Sequence, residues 1–186
     1  MRIVGLLLAA GFSRRYGANK LIQRLPDGTL MAVAAGRNLV AALPDSIAVV
    51  RQDVPELVAA LREAGLRITE CDTAQQGMGA SLAHGVRAAL DADGWVVALG
   101  DMPFVQPATI RAVADSVAAG NELVAPRYAG ERGHPVGFAA RYRDELAKLT
   151  GDEGARYLLK RDTVTLVNCA DPGVIRDIDT PGDLPG

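Results

Sequence analysis

Ser13, Arg14, Arg15 and Lys20 bring a hydroxyl, two guanidinium groups and an ammonium into one short stretch, just beyond the apolar run Ile3 to Leu8 and the residues Ala9-Ala10-Gly11. Gly11 and Gly17 permit close backbone approach and the side chains supply donors and positive charge, so the loop suits a polyphosphate. It is neither of the two best-known phosphate loops. Gly11 and Gly17 lie one residue too far apart for G-x-x-x-x-G-K-[ST], no Lys directly follows Gly17, and no G-x-G-x-x-G occurs. A P-loop NTPase or a Rossmann dehydrogenase therefore loses its main support. The plainer reading of the same residues is a strand-to-helix turn with solvated basic groups.

Two carboxylates could complete such a site. Asp101 follows the apolar segment Trp95 to Leu99 after Gly100, and Asp179 directly follows the segment Ile175 to Ile178. Mg2+ is commonly held by one or two carboxylates together with phosphate oxygens. Taken singly, each Asp reads as a helix cap or turn residue; combined with the cationic loop, the pair suggests a metal-nucleotide site. Other catalytic apparatus is missing: His84 and His134 are far apart, no G-x-S-x-G elbow occurs, and Cys71 and Cys169 form no C-x-x-C. Neither a disulfide framework nor a zinc site is expected, and both cysteines read as buried reduced thiols. A group transfer whose nucleophile is already a phosphate anion needs no such base, because positioning and charge neutralisation carry the work.

The elements that must position these residues alternate. Ile3 to Leu8 has the length and branching of a strand buried on both faces. Thr29 is placed to cap a helix from Leu30 to Leu43, Ile47 to Val50 reads as a strand, and Asp53 with Glu56 has capping-box spacing ahead of Leu57, Val58 and Leu61. Leu66 to Cys71 is a third strand. Gly77-Met78-Gly79-Ala80-Ser81 reads as a second glycine-bearing turn before a helix from Leu82 to Leu90, and Trp95 to Leu99 as another buried strand. Pro107 starts a helix through Ala119, and Leu123 to Ala125 is again a strand. Gly130, Gly133, Pro135 and Gly137 suit a hairpin or flap; helices at Tyr142 to Leu149 and Gly154 to Lys160 and a strand at Val164 to Asn168 follow. This rhythm predicts an α/β fold, a mainly parallel sheet with helices on both faces, in a single domain over residues 1–186. Ligands in such sheets collect at the carboxyl ends of the strands, where both glycine turns and Gly100-Asp101-Met102-Pro103 fall.

The 186 residues carry a formal charge of -2, which gives no electrostatic case for nucleic acid as a partner. One basic residue before a short apolar run, followed by Arg14-Arg15 rather than a small-residue cleavage site, does not make a secretory leader. No apolar stretch approaches the roughly 20 residues needed to span a bilayer. No membrane association is expected, and the chain reads as a soluble cytoplasmic protein.

Leu8-Ala9-Ala10-Gly11-x-Ser13-x-Arg15-x-Gly17-x-x-Lys20 resembles the signature loop of the MobA-like nucleotidyltransferases, above all the branch that includes molybdenum cofactor cytidylyltransferase. Gly77 to Leu82, Gly100 to Pro103, Arg132-Gly133-His134-Pro135, Gly151 to Arg156 and Asp177-Ile178-Asp179-Thr180-Pro181 resemble that family's later motifs, in its order and nearly end to end. The resemblance implies a Rossmann-like nucleotidyltransferase fold that uses Mg2+ and transfers a nucleotide, with release of pyrophosphate, to the phosphate of a molybdenum-bearing molybdopterin; a recipient molybdoenzyme is the implied downstream partner. It further implies that Leu8, Ala9, Ala10, Gly11 and Ser13 contact the nucleotide, that Arg15 and Lys20 bind and neutralise its phosphates, and that Asp101 and Asp179 hold the metal. Gly79 and Ser81 would approach the ribose or base, and His134 and Arg156 the acceptor. Arg15, Lys20 and Asp101 are the implied catalytic groups. Ala10, where the guanylyl branch tends to carry a second glycine, and Gly100-Asp101-Met102-Pro103 favour CTP as donor. Gly182 stands where the cytidylyl relatives often have an acidic residue, and Tyr16 where Met is frequent. Use of GTP, a sugar phosphate or phospholactate acceptor, and a non-catalytic nucleotide-binding chaperone are the alternatives.

Overall fold

The computed structural model describes residues 1–11, 20–179 and 181–183. The segment with the continuous apolar pattern is β1, Ile3–Ala9, and it lies in the middle of the sheet, its residues buried from Val4 onward. On one side it pairs in parallel with β2, Ser46–Val50, which pairs in parallel with β3, Arg67–Glu70. On the other side it pairs in parallel with β4, Gly94–Leu99. Beyond β4 come β7, Val136–Ala139, antiparallel to it, and then β5, Leu123–Tyr128, antiparallel to β7. Strand β5 also pairs antiparallel with the short β6, Glu131–Arg132, and parallel with β8, Thr165–Asn168. The eight-stranded sheet is thus mainly parallel, with β6 and β7 as the reversed strands.

Alternate residues of the central strands feed two cores. Leu7 and Ala9 of β1 join the core under α1, Met31–Ala42, α2, Pro55–Glu63, and α4, Pro107–Ala118. Val4, Leu6 and Leu8 join the other, with Trp95 fully buried, under α3, Met78–Arg87, α5, Arg143–Leu146, and α6, Arg156–Arg161. Period-two side-chain direction in a strand covered on both faces explains why the sequence of β1 reads as one unbroken apolar run. Among the described residues no helix is long and apolar enough to cross a membrane.

Several local expectations are corrected. Thr29 does not cap α1: its backbone N–H donates to Asp27 Oδ1 at 2.9 Å, its carbonyl accepts from Leu25, and Leu30 occupies the cap position. Asp53 is drawn off by a salt bridge to Arg51 at 2.8 Å, so no capping box forms and Pro55 begins α2 after Val54. Helix α3 starts at Met78, not Leu82, so the glycine turn is its first turn. Ile175 to Ile178 is not a strand; Pro172–Ile175 is a short 3-10 helix, and Ile178 is buried beside Leu25 and Met31. Cys71 is buried and Cys169 half-buried, both as free thiols.

Candidate functional site

The chain leaves β1, crosses to β2 and β3, and returns to the opposite side of β1 as β4, so the strand order reverses between β1 and β4. Crevices for ligands open at such a reversal, at the carboxyl ends of the strands. Here the two ends are fastened together by a hydrogen bond from Gly100 N–H to Leu8 O at 3.0 Å. A cleft of about 220 Å³ opens there, lined by Leu8, Ala10, Gly11, Lys20, Leu21 and Asp101 on one side and by Ala74, Gly77, Met78, Ser81 and Asp152 from α3 and its flanks.

Lys20 is the centre of the charged groups. Its Nζ lies 2.8 Å from Asp101 Oδ2 and 2.8 Å from Asp179 Oδ1, with 13% of the lysine side chain exposed. Asp179 is brought across the molecule by one backbone bond, from Ile178 N–H to Asp101 O at 3.0 Å, and its own N–H donates locally to the Asp183 carboxylate Oδ2 at 3.1 Å. Burial alone would lower the Lys20 pKa, but the hydrogen bonds from the ammonium to Asp101 and Asp179 outweigh it, and the net shift is upward. Two carboxylate oxygens within reach of one point are a donor set of the size and hardness Mg2+ takes from a protein, with water and phosphate oxygens completing its shell. Asp101 and Asp179 therefore fit such an ion. Among the described residues no group of three or more His, Cys, Asp or Glu side chains is gathered for a metal.

The other expected residues distribute as follows. Leu8, Ala10, Gly11 and Ser81 face the cleft, and the Ser81 hydroxyl donates a long bond, 3.5 Å, to Gly77 O. Ala9 turns its side chain into the opposite core and can offer the cleft only backbone. Gly79 is buried beneath the rim. Its N–H donates to Gly151 O at 2.8 Å, and a Cβ there would stand 2.6 Å from Thr150 O. His134 is not in the cleft. It lines a separate hollow of about 10 Å³ with Met102, Val105, Ile110 and Pro135, space for about one water at most. Its Nδ1 is buried without a hydrogen-bond partner among the described residues, and its backbone N–H donates to Val174 O at 2.8 Å. Arg156 is exposed at the start of α6 and close enough to lower the His134 pKa. Ser13 and Arg15, with Arg14, Tyr16 and Gly17, lie outside the described residues, as does Thr180.

Arg51, beside the cleft, and Asp152 and Met78, which line it, have no role assigned from the sequence. Arg51 directly follows β2; its guanidinium donates to Gly11 O at 3.3 Å and pairs with Asp53. A cationic residue directly after a parallel strand was the available signal. Asp152 approaches because Gly77, with φ +114°, has no Cβ: one would lie 2.3 Å from Asp152 Oδ1. Met78, 48% exposed, forms part of the cleft wall at the first residue of α3.

Over residues 5–166 the sequence matches the MobA-like NTP transferase domain. Purine catabolism protein PucB of Bacillus subtilis (strain 168) is 30% identical over 191 residues, covering 96% of this chain and 92% of its own length. Rv0371c of Mycobacterium tuberculosis H37Rv aligns in structure with a TM-score of 0.84 at 32% identity, over 98% of this chain and 95% of that one. A structure of Rv0371c in complex with manganese gives 0.78 at 30% identity, over 98% and 96%. A nucleotidyl transferase from Methanothermobacter thermautotroptrophicus gives 0.81 at 25% identity, over 98% and 94%.

Proposed function

Since the chain belongs to the MobA-like NTP transferase family and is a nucleotidyltransferase of Rossmann-like fold, we propose that it transfers CMP from CTP to the phosphate of molybdenum-bearing molybdopterin and releases pyrophosphate. The observation that carries the transfer is the meeting of Lys20 with Asp101 and Asp179 at the strand reversal beside the Gly11 backbone. The choice of CTP rests on Ala10 and on Gly100-Asp101-Met102-Pro103, and the choice of acceptor on the resemblance of the later motifs.

In this reading the cleft holds the triphosphate along the Ala10-Gly11 backbone, with the base against the start of α3 near Ser81. Arg15 and Lys20 bind its phosphate oxygens, and Lys20 neutralises charge that grows on the bridging oxygen as pyrophosphate departs; removing such a donor costs on the order of 10²–10³ in rate. Mg2+ held by Asp101 and Asp179 would supply charge neutralisation at the phosphates; Rv0371c, a relative, has been crystallised with manganese. The acceptor phosphate needs no base, so the protein's part is to align it with the α-phosphorus and exclude water. Arg156 takes the acceptor side in this scheme, offering a phosphate-binding guanidinium at the start of a helix, whereas His134, in its hollow outside the cleft, would bear on the acceptor only indirectly.

A second reading keeps the transfer and changes the donor or the acceptor, to GTP or to another phosphorylated compound. Similarity to a protein named for purine catabolism favours it, because that name specifies neither a cytidyl donor nor a pterin. Pyrophosphate release measured with CTP, GTP and ATP, each against molybdopterin and against a sugar phosphate, separates the two. Turnover with CTP and molybdopterin that disappears in Asp101→Asn is the expected result. Turnover only with GTP or only with the sugar phosphate defeats the first reading, and wild-type rates in Asp101→Asn defeat the metal assignment.

A further inference from the structure

Asp101 and Asp179 come from distant parts of the chain and cannot easily move apart. Asp101 follows β4, and the backbone one residue before Asp179 is bonded to the Asp101 carbonyl at 3.0 Å. Their carboxylates meet at one ammonium, each at 2.8 Å. The Lys20 side chain is mostly buried there and the Asp101 side chain is 22% exposed, so water screens that pair only partly, while Asp179, 49% exposed, leaves one side of the group open to solvent. A positive charge thus occupies the point where two negative ones converge.

We infer that Lys20 is a resident counter-ion that a divalent cation must displace from Asp101 and Asp179, so that the site takes the cation well only together with a polyphosphate. This rests on the proposed reading in which those two carboxylates hold the metal. An ammonium and a hard divalent ion compete for the same oxygens, and their own repulsion in a partly buried site prevents both from keeping them. A bare cation gains the two carboxylates but drives the ammonium off them, and a partly buried charge stripped of hydrogen bonds is costly. A cation that arrives with a triphosphate brings anionic oxygens for the three donors of the displaced ammonium. Polyphosphate and cation therefore raise each other's affinity beyond what their association in solution supplies, and the effect is reciprocal. The same lysine weakens binding of the ion alone and strengthens binding of the complex.

The test uses Mn2+ as the probe, titrated without nucleotide into the full chain and followed by the electron paramagnetic resonance of the free ion. Lys20→Met removes the charge and is expected to bind Mn2+ roughly tenfold more tightly than the wild type. Lys20→Arg keeps a cation between the carboxylates and is expected not to tighten. Lys20→Gln is the second neutral variant should the first fail to fold, circular dichroism deciding which is used. Added tripolyphosphate is expected to improve Mn2+ binding more in the wild type than in the neutral variant. Equal or weaker binding in the neutral variant overturns the inference. Asp101→Asn and Asp179→Asn, made in the neutral background, locate the ion. If they abolish binding while loss of the lysine does not tighten it, the counter-ion role falls alone and the metal assignment stands. If Mn2+ binds unchanged in both, the assignment falls and the inference with it.

Discussion

Burial holds the His134 imidazole below its ordinary pKa of 6.5; Asp101 pulls it back up, and Arg132 and Arg156 push it further down. The unfolded chain therefore takes up a proton from solution at a higher pH than the folded chain does, and stability falls as pH drops below about 6.5 toward the folded-state value. His84 is also lowered, by burial and by Arg87, and acts in the same sense. Thermal melts of the wild type from pH 7.5 to 5 are expected to show a declining Tm, and His134→Gln a shallower decline, with the His84 share remaining; identical profiles would show that the imidazole protonates without penalty in the fold. Residue chemistry was the most legible scale. Lys20 and Asp101 announce themselves by charge beside an apolar run, and the structure joins them. Arg51 and Asp152 did not, because their approach to the cleft is set by neighbours far away in sequence: the Gly11 carbonyl for one and the bare Cα of Gly77 for the other. Asp179 was read in the right company for the wrong local reason, since a backbone bond to Asp101 places it and no strand does.

Between residues and sheet, the element that shapes the cleft is the first turn of α3 with the loop 150–154 laid across it. Gly77-Met78-Gly79-Ala80-Ser81 carries the glycines and small residues of a turn, and intrinsic preference alone places the helix start after it. The loop reverses that preference: Gly151 O accepts from Gly79 N–H, and Thr150 O lies too near Gly79 Cα for any side chain. Gly79→Ala pushes a methyl into backbone that has no rotamer with which to yield, at a cost of about 1–3 kcal/mol. For a chain of this size that corresponds to a Tm lower by roughly 2–12 °C. Because Asp152 and Met78 ride on the displaced parts, KM for the nucleoside triphosphate should rise as well. An Ala variant with wild-type Tm and KM would show that the loop is not fastened to α3. Strand positions were read more accurately than helix starts, because apolar runs such as Val96, Val97 and Ala98 are dictated by burial on both faces, whereas the expected caps at Thr29 and Asp53 were lost to other partners of the same groups.

At the scale of the whole molecule, class was legible and strand order was not. Alternation of apolar runs and helical segments demands a covered, mainly parallel sheet, but which strand neighbours which is decided by crossovers, and nothing in β7 or β5 taken alone says that β7 inserts between β4 and β5. The order matters because the reversal between β1 and β4 gathers segments from the beginning, middle and end of the chain: Gly11 and Lys20, Asp101, and Asp179. A ligand bridging those segments binds a surface the unfolded chain does not have, so it stabilises the fold by mass action. With CTP and Mg2+ together at about 100 times their dissociation constant the gain is about 2.7 kcal/mol, or roughly 5–10 °C in Tm for a domain of this size. CTP alone should shift Tm less, because without the divalent ion the carboxylates repel the triphosphate that Lys20 attracts. Asp101→Asn should erase the additional shift from Mg2+ and leave the smaller one. Differential scanning of wild type and variant with CTP, GTP, ATP and UTP, each with and without Mg2+, reads both quantities in one experiment. A Tm that no triphosphate moves would remove the nucleotide from this cleft, and an Mg2+ increment that survives the loss of Asp101 would move the ion elsewhere.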